Sequence, residues 1–398
     1  MDSLISANNG TLRMQMLRMQ AKVRQENVGP ALGTGGEAPP AGSLIIADNF
    51  IPSREDDRYG HGEIVNLAAL QNGFKGDVFT RTQPFTLNTF HAQTQAESVL
   101  SNPQAKADEV LRAVSQKASA MAAGNLEAQT KVANEAAASG AKNTALNISM
   151  GTSKSSVTAD LYGHAAMAWN PKSNEHAQEA GMVVAGNLAK AYSLDLSKLQ
   201  STDPKVAGPE RLKLQQHLVR HVDQSFEKSP LVQGAKKRWK EAVNKFESGN
   251  NSVVISAGNS GKEGDTLVKD AHGSRVRVPR DFEKNVLEIP EVTSVGATRW
   301  FKTKDGLKEF KAKYSSRGTE VDLYASGSVD TDNDGKADTF GTSFAAPRVA
   351  ATMAWLHKNH PKLSSSKIEQ LLRKQMTHKL GREDVLDHRK SRRSLSGN

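Results

Sequence analysis

Three short runs hold side chains suited to acyl-transfer chemistry, centred on Asp48, His61 and Ser343. Asp48 directly follows the apolar run Leu44-Ile45-Ile46-Ala47. Its carboxylate therefore emerges at the end of a buried strand, where it needs a partner to offset desolvation. Taken alone, an Asp after a strand also reads as a turn or cap residue. His61-Gly62 opens the helix-like run Glu63-Ile64-Val65-Asn66-Leu67-Ala68-Ala69. An imidazole there can present one ring nitrogen to a site while the other bonds a carboxylate. A lone His-Gly pair reads equally as a surface histidine beside a turn. Ser343 sits in Gly341-Thr342-Ser343-Phe344-Ala345-Ala346-Pro347, which runs on through small residues to Ala354. A serine at the start of a buried helix gains from free backbone N–H groups that stabilise nearby negative charge. Gly341 admits another chain closely, and Pro347 is expected in the first turn, where no N–H has to be bonded.

A fourth element, Ser256-Ala257-Gly258-Asn259-Ser260-Gly261, follows the apolar run Val253-Val254-Ile255. An Asn on such a turn can direct its amide N–H toward an oxyanion, a donor worth roughly 3 to 4 kcal/mol in an acyl-transfer transition state. Standing alone it would be a turn.

These groups must be positioned by a sheet. Ser43 to Ala47, Gly76 to Arg81, Ala145 to Ser149, Ser252 to Ser256 and Thr293 to Ala297 are short β-branched or continuously apolar runs, as strands covered on both faces should be. Helix-like runs alternate with them: Asp108 to Ala138, Ala235 to Phe246 and Pro347 to His357. That alternation predicts an α/β fold with a mostly parallel sheet and helical crossovers. Ligand chemistry then gathers at the carboxyl ends of the strands. Residues 152 to about 232 are mostly polar and lack strand patterns, with helix-like stretches at Glu179 to Tyr192 and Glu210 to Val222. They read as a largely helical insertion, either lying over the cleft or forming a surface excursion.

Taken in the order Asp, His, Asn, Ser, the motifs resemble the subtilase (subtilisin-like) family of serine proteases. GTSFAAPRVAA, HGEIV and ISAGNSG carry the resemblance, joined by LNISMG, VTSVGAT, YSSRG and VDLYASG over residues 43 to 380. The resemblance implies a three-layer α/β/α fold. It also implies Ser343 as nucleophile, His61 as general base, Asp48 as the group orienting His61, and Asn259 with the Ser343 N–H as the oxyanion site. Ser149-Met150-Gly151 and Ala257-Gly258 would hold a polypeptide substrate as an added β-strand. The sequence departs from the family at Asn49-Phe50, where Ser or Thr and then Gly are usual. Only thirteen positions separate Asp48 from His61. Asp56 and Asp57 are rival carboxylates, though neither follows a strand.

Asp330, Asp332, Asp334 and Asp338 alternate around Gly335 like the opening of a calcium loop, but position twelve is Gly341 where an EF-hand has Glu. The run is read as a structural calcium site or as an acidic hairpin tip, and no cofactor is expected for the chemistry.

The first 42 residues hold an amphipathic helix at 11 to 28, with Leu12, Met16, Met19 and Val23 on one face, and a Gly/Pro-rich linker. No family-type pro-domain is expected within them. The helix could contact a partner or export machinery. Residues 381 to 398 are expected to be a basic, disordered tail.

The 398 residues are 37% hydrophobic, enough for a sizeable core, and the absence of Cys excludes disulfides, thiolate chemistry and Cys-ligated metals. No stretch approaches the roughly 18 apolar residues of a membrane span, and no apolar segment with a small-residue cleavage site opens the chain. The expectation is a cytoplasmic protein, with signal-peptide-independent export as the alternative. The net charge of +10 is spread thinly. Without zinc-finger spacing or an aromatic-basic motif, nucleic acid is not an expected partner, and a steep salt dependence of binding would be the sign of one. The other rival reading is a catalytically silent peptide-binding protein on the same fold.

Overall fold

The computed structural model describes residues 31–32, 38–50, 59–82, 84, 86–261, 276, 278–279, 281–316 and 321–396. The expected N-terminal helix at 11–28 and the rival carboxylates Asp56 and Asp57 lie outside these residues. The first half of the chain runs β1 (Leu44–Asp48), α1 (His61–Gln71), β2 (Val78–Thr82), α2 (Leu87–Leu100), α3 (Ala107–Ala138) and β3 (Ala145–Ile148). Four helices follow before the next long one: α4 (Lys154–Ala166), α5 (Glu175–Tyr192), the single turn α6 (Leu196–Leu199) and α7 (Pro204–Lys228). Then come α8 (Pro230–Glu247), β4 (Ser252–Ser256), β5 (Thr293–Thr303), β6 (Gly306–Lys311), β7 (Leu323–Ser326), β8 (Ser328–Val329) and β9 (Thr339–Phe340). The chain closes with α9 (Thr342–Asn359), α10 (Ser365–Gln375), β10 (Thr377–Leu380), β11 (Glu383–Leu386) and α11 (His388–Ser396).

The sheet has the order β10-β11-β7-β5-β4-β3-β1-β2 and is parallel from β11 to β2. Successive residues of a strand face opposite sides. Ile45, Leu146, Ile148, Val253 and Ile255 therefore enter one core, while Leu44, Ile46, Val254, Val295 and Leu323 enter another. The first core lies under α3, α8 and the helices of residues 152–232; the second lies under α1, α9 and α10. This is the three-layer α/β/α arrangement, and the two apolar faces explain why the strands read as continuous apolar runs.

Residues 152–232, expected to be a helical insertion, contribute to the first core. Val157, Leu161, Leu214, Leu218 and Val222 are fully buried in the same core as α3 and α8. Lys154, almost wholly buried, bridges α4 to α7 and to the stretch between β4 and β5 through Asp223 (2.6 Å), Glu227 (2.9 Å) and Asp281 (2.9 Å). Burial works against its charge, but the three carboxylates outweigh it and hold the ammonium above the ordinary lysine range.

The C-terminal segment corrects the expectation of a disordered tail. Val385 of β11 pairs with Tyr324 of β7 and is fully buried, and Leu386 and Leu395 enter the second core. The Ser391 hydroxyl of α11 bonds Thr352 of α9 at 2.7 Å and accepts from the Asn72 amide beyond α1 at 3.0 Å. His388 Nδ1 meets Asn72 Oδ1 at 2.9 Å, and burial, with Arg348 and Arg392 nearby, pushes its pKa down to about 4. The basic residues of α11 mask an apolar and hydroxyl face that completes the fold. Burying three such aliphatic side chains contributes about 1.5 to 3 kcal/mol each. Deleting residues 381–398 is therefore expected to lower the melting temperature by more than about 5 °C, read by circular dichroism. An unchanged melt would restore the disordered-tail reading.

Candidate functional site

Asp48 ends β1, fully buried. Its Oδ1 lies 2.6 Å from His61 Nδ1 and accepts the Asn49 N–H at 2.6 Å. Its Oδ2 is buried with no hydrogen-bond partner among the described residues. His61 is the first residue of α1, whose start is fixed by the Gly60 N–H donating to Glu63 Oε2 at 2.7 Å. The Gly62 N–H donates to Asn49 O at 2.7 Å, so the helix start is tied directly to the strand end despite the short connection. Phe50, unusual for the resembled family, is accommodated by that same glycine: a Cβ at Gly62 would meet the Phe50 ring at 2.7 Å.

The His61 ring is half-buried, its centroid 5.6 Å from that of Phe344. Burial pulls its pKa down, yet the hydrogen bond and the charge of Asp48 push it up further, leaving the imidazole above its ordinary value. This pairing contributes stability that is fully present below the unfolded histidine pKa and is lost as pH rises through the folded one.

Ser343 is the second residue of α9, so its N–H is among the first-turn donors without a helical acceptor. The helix starts five residues before Pro347, which corrects the expectation that this proline sits in the first turn. Pro347 has no N–H to give the Ser343 carbonyl four residues back. The Ser149 hydroxyl fills that vacancy, donating to Ser343 O at 2.7 Å, and the Ser343 hydroxyl donates in return to Ser149 O at 3.0 Å. Asn147 Nδ2 donates to Ser149 Oγ at 2.9 Å and fixes the strand end. The end of β3 and the start of α9 are thus joined by a reciprocal pair.

Asn259 follows β4 on a turn where Gly258 adopts a φ of +99°, a conformation that favours glycine. Asn259 Oδ1 accepts both the Thr342 N–H at 3.0 Å and the Thr342 hydroxyl at 2.9 Å. With its oxygen committed to Thr342, the amide nitrogen is left for the cleft. His61, Ser149, Met150, Gly151, Ala257, Gly258, Asn259 and Ser343 line one cleft of about 280 Å³. Thr152, Ser153, Ser156, Ser256, Ser260, Asn285 and Thr342 complete its walls. Among the described residues the insertion reaches this cleft only through Thr152, Ser153 and Ser156. Thr342 and Phe344 stood inside a motif read for its serine alone. Asn285, donating to Ser256 O at 2.8 Å, comes from an irregular stretch with no sequence signal.

The acidic run lies apart from this cleft. Carboxylate oxygens of Asp330, Asp332 and Asp338 lie within 4.8 Å of one another, and Asp334 does not join them. Asp330 and Asp332 accept backbone N–H groups of Asp334 and Gly335, and Asp338 accepts from Thr331 and Thr339. The loop is therefore closed by its own hydrogen bonds.

The sheet order, the two helical layers and the grouping of these residues at the strand ends define a serine-protease fold of the subtilisin type. The chain belongs to the Subtilase family, whose sequence profile matches residues 117–391. That span includes Asn259 and Ser343 and begins after Asp48 and His61. Among solved structures, Sphericase is similar at 16% identity and a TM-score of 0.35, over 88% of this chain and 90% of that one. The epidermin leader peptide processing serine protease EpiP from Staphylococcus aureus is similar at 15% identity and a TM-score of 0.40, over 89% and 77%. The nisin leader peptidase NisP from Lactococcus lactis stands at 13% and 0.36, over 90% and 88%. No curated protein sequence matches the chain. No helix of the described residues is long and apolar enough to cross a membrane.

The reciprocal pair generates a test. Ser149→Ala leaves the Ser343 carbonyl buried without a donor, a loss of about 1 to 3 kcal/mol in urea unfolding. Coupling to Pro347→Ala, which restores the helical N–H, should recover part of that loss in a double-mutant cycle; strict additivity would show that the two residues do not share this carbonyl.

Proposed function

We propose that the protein is a serine endopeptidase acting through Ser343, His61 and Asp48. The observation that carries this reading is the 2.6 Å contact of His61 Nδ1 with buried Asp48, with His61 sharing one cleft with Ser343 and Asn259. An extended polypeptide adds as a strand between Ser149-Met150-Gly151 and Ala257-Gly258. Ser343 Oγ turns about χ1 from Ser149 O toward His61 Nε2, gives up its proton there and attacks the scissile carbonyl. The oxyanion is met by Asn259 Nδ2 and the Ser343 N–H. His61 returns the proton to the departing amine, and water activated by His61 then hydrolyses the acyl-enzyme. Asp48 holds the imidazole in the required tautomer and stabilises its charged form. No metal is required for these steps; calcium at Asp330, Asp332 and Asp338 would be structural only.

One observation favours a second reading, the peptide-binding protein without turnover: the single Ser343 hydroxyl proton is committed to Ser149 O. A fluorophosphonate probe decides between the two. Labelling is expected with chelator present and is expected to vanish in Ser343→Ala and His61→Ala. A wild type that stays unlabelled in chelator and in calcium supports the binding protein.

The pH dependence follows from His61, which must be neutral to act as base. Labelling should rise with pH through a midpoint above 6.5, the ordinary imidazole value. Asp48→Asn removes the influences that raise the pKa and leaves burial, so the midpoint should fall below that value. The rate should fall by a factor on the order of 10⁴. A midpoint that does not move would exclude Asp48 as the partner of the base.

A further inference from the structure

Past its pairing with β4 and β7, strand β5 runs out of the sheet and returns as β6, forming a hairpin of Thr298–Thr303 against Gly306–Lys311. Residues opposite each other in an antiparallel pair share a face. One face thus carries Arg299 with Phe310 opposite, and Phe301 with Lys308 opposite. Phe301 and Phe310 meet edge-on at 6.0 Å between centroids. The Arg299 guanidinium lies 3.7 Å from the Phe340 ring centroid and 5.3 Å from that of Phe301. Two rings therefore flank one cation, the third packs on Phe301, and all three remain open: Phe301 is 45%, Phe310 44% and Phe340 38% exposed. Of the neighbouring charges, Lys308 pairs with Asp305, Lys311 with Glu383 and Glu309 with His378. Arg299 has no carboxylate partner among the described residues.

The position of the cluster identifies its occupant. Phe340 precedes Ser343 by three residues, so their Cα atoms lie within about 11 Å. The Gly341 N–H donating to Gly327 O at 2.9 Å fixes the connection between them. On the proposed reading, the cleft walls at 149–153 and 256–260 take the part of a substrate strand that precedes the reacting carbonyl; Phe340 is not among the residues lining that cleft and lies on the nucleophile's own segment. An extended peptide advances about 3.3 Å per residue, so its second to fourth residues beyond the carbonyl can reach the rings. Exposed aromatics around an unpaired guanidinium fit a segment that combines aromatic side chains with carboxylates.

We infer that Arg299, Phe301, Phe310 and Phe340 form an exosite for the polypeptide on the leaving-group side of the scissile bond, selecting acidic and aromatic residues there. This rests on the proposed role of Ser343. The test is cleavage-site profiling of a peptide library with wild type, Arg299→Glu and Phe301→Ala/Phe310→Ala, each checked for folding by its melting curve. In the wild type, Asp, Glu and aromatic residues should be enriched two to four positions after the cleaved bond. Arg299→Glu should shift the ratio of acidic to basic residues there by about 10-fold toward Lys and Arg, and the double variant should lose the aromatic preference. No enrichment after the bond, or enrichment that survives Arg299→Glu, overturns the exosite.

The same library passed over immobilised Ser343→Ala protein reads the exosite without turnover. Retention of acidic and aromatic peptides that Arg299→Glu abolishes supports it even where the wild type cleaves nothing, and unbiased retention overturns it. Sedimentation with phosphatidylglycerol vesicles that depends on Arg299, alongside an unchanged peptide profile, would assign the hairpin to a lipid surface and overturn the exosite as well.

Discussion

The centre of this structure depends on a backbone hydrogen bond that cannot form. Pro347 lies inside α9 and deprives the Ser343 carbonyl of its helical donor. A buried carbonyl must find another partner, and the Ser149 hydroxyl is placed to supply it. Asn147 positions that hydroxyl, and the Ser343 hydroxyl answers to Ser149 O. The start of α9 and the end of β3 are therefore set by the same atoms, and neither can shift without stranding a buried polar group. Thr342 extends the constraint to the turn after β4 by holding the oxygen of Asn259. Three separate elements are brought into one register by polar contacts that begin with the proline.

Asp48 imposes the second constraint. A fully buried carboxylate is costly unless it is bonded, and β1 delivers this one to the strand end with only Asn49 and His61 as described partners. The bond from Gly62 to Asn49 O brings the helix to the strand, so the pairing does not depend on the length of the intervening loop. Replacement of a small residue by Phe50 is offset locally, because the ring occupies the space that Gly62 leaves open. Charge and packing here act together: the contact that satisfies the acid also keeps the imidazole pKa high.

Much of this was legible because the sheet is covered on both sides. Ser252 to Ser256 reads as a strand and is one, with identical bounds, since each residue is apolar or small and faces one core or the other. The reading stopped short for β5, expected to end at Ala297, because beyond Thr298, the last residue paired with β7, the strand continues as Arg299–Thr303 in a two-stranded hairpin with β6 whose side chains are half-buried or exposed. β10, β11 and α11 escaped notice for a related reason. Their composition is that of a solvated tail, and their order comes from a few contacts, Val385 on Tyr324 and Ser391 on Thr352 and Asn72, between residues distant in sequence. Within the candidate site, Ser343 and Asn259 lie in contiguous motifs, whereas Asn285 reaches the cleft from a segment whose sequence has no period or turn signature. Pro347 shows the limit of local rules: a proline suits a first turn, but here the helix begins earlier and the missing donor is put to use.

The distribution of polar groups separates structure from chemistry. Lys154 gathers three carboxylates, Asp223 and Glu227 of α7 and Asp281 from the stretch between β4 and β5, and the acidic turn at Asp330 to Asp338 is closed by its own hydrogen bonds. Both arrangements satisfy their charges internally, which leaves little free to act on a ligand. Asp48 keeps an oxygen without a described partner, His61 keeps an edge open to the cleft, Asn259 keeps its amide nitrogen, and Arg299 keeps a guanidinium without a described carboxylate. His61 and Asn259 line one cleft, Asp48 stands behind His61, and Arg299 lies against Phe340 on the segment that leads to Ser343. Asp48 and Asn259 stand at the carboxyl ends of β1 and β4, where a parallel sheet gathers ligand chemistry, so the polar capacity left on them is placed where it can act.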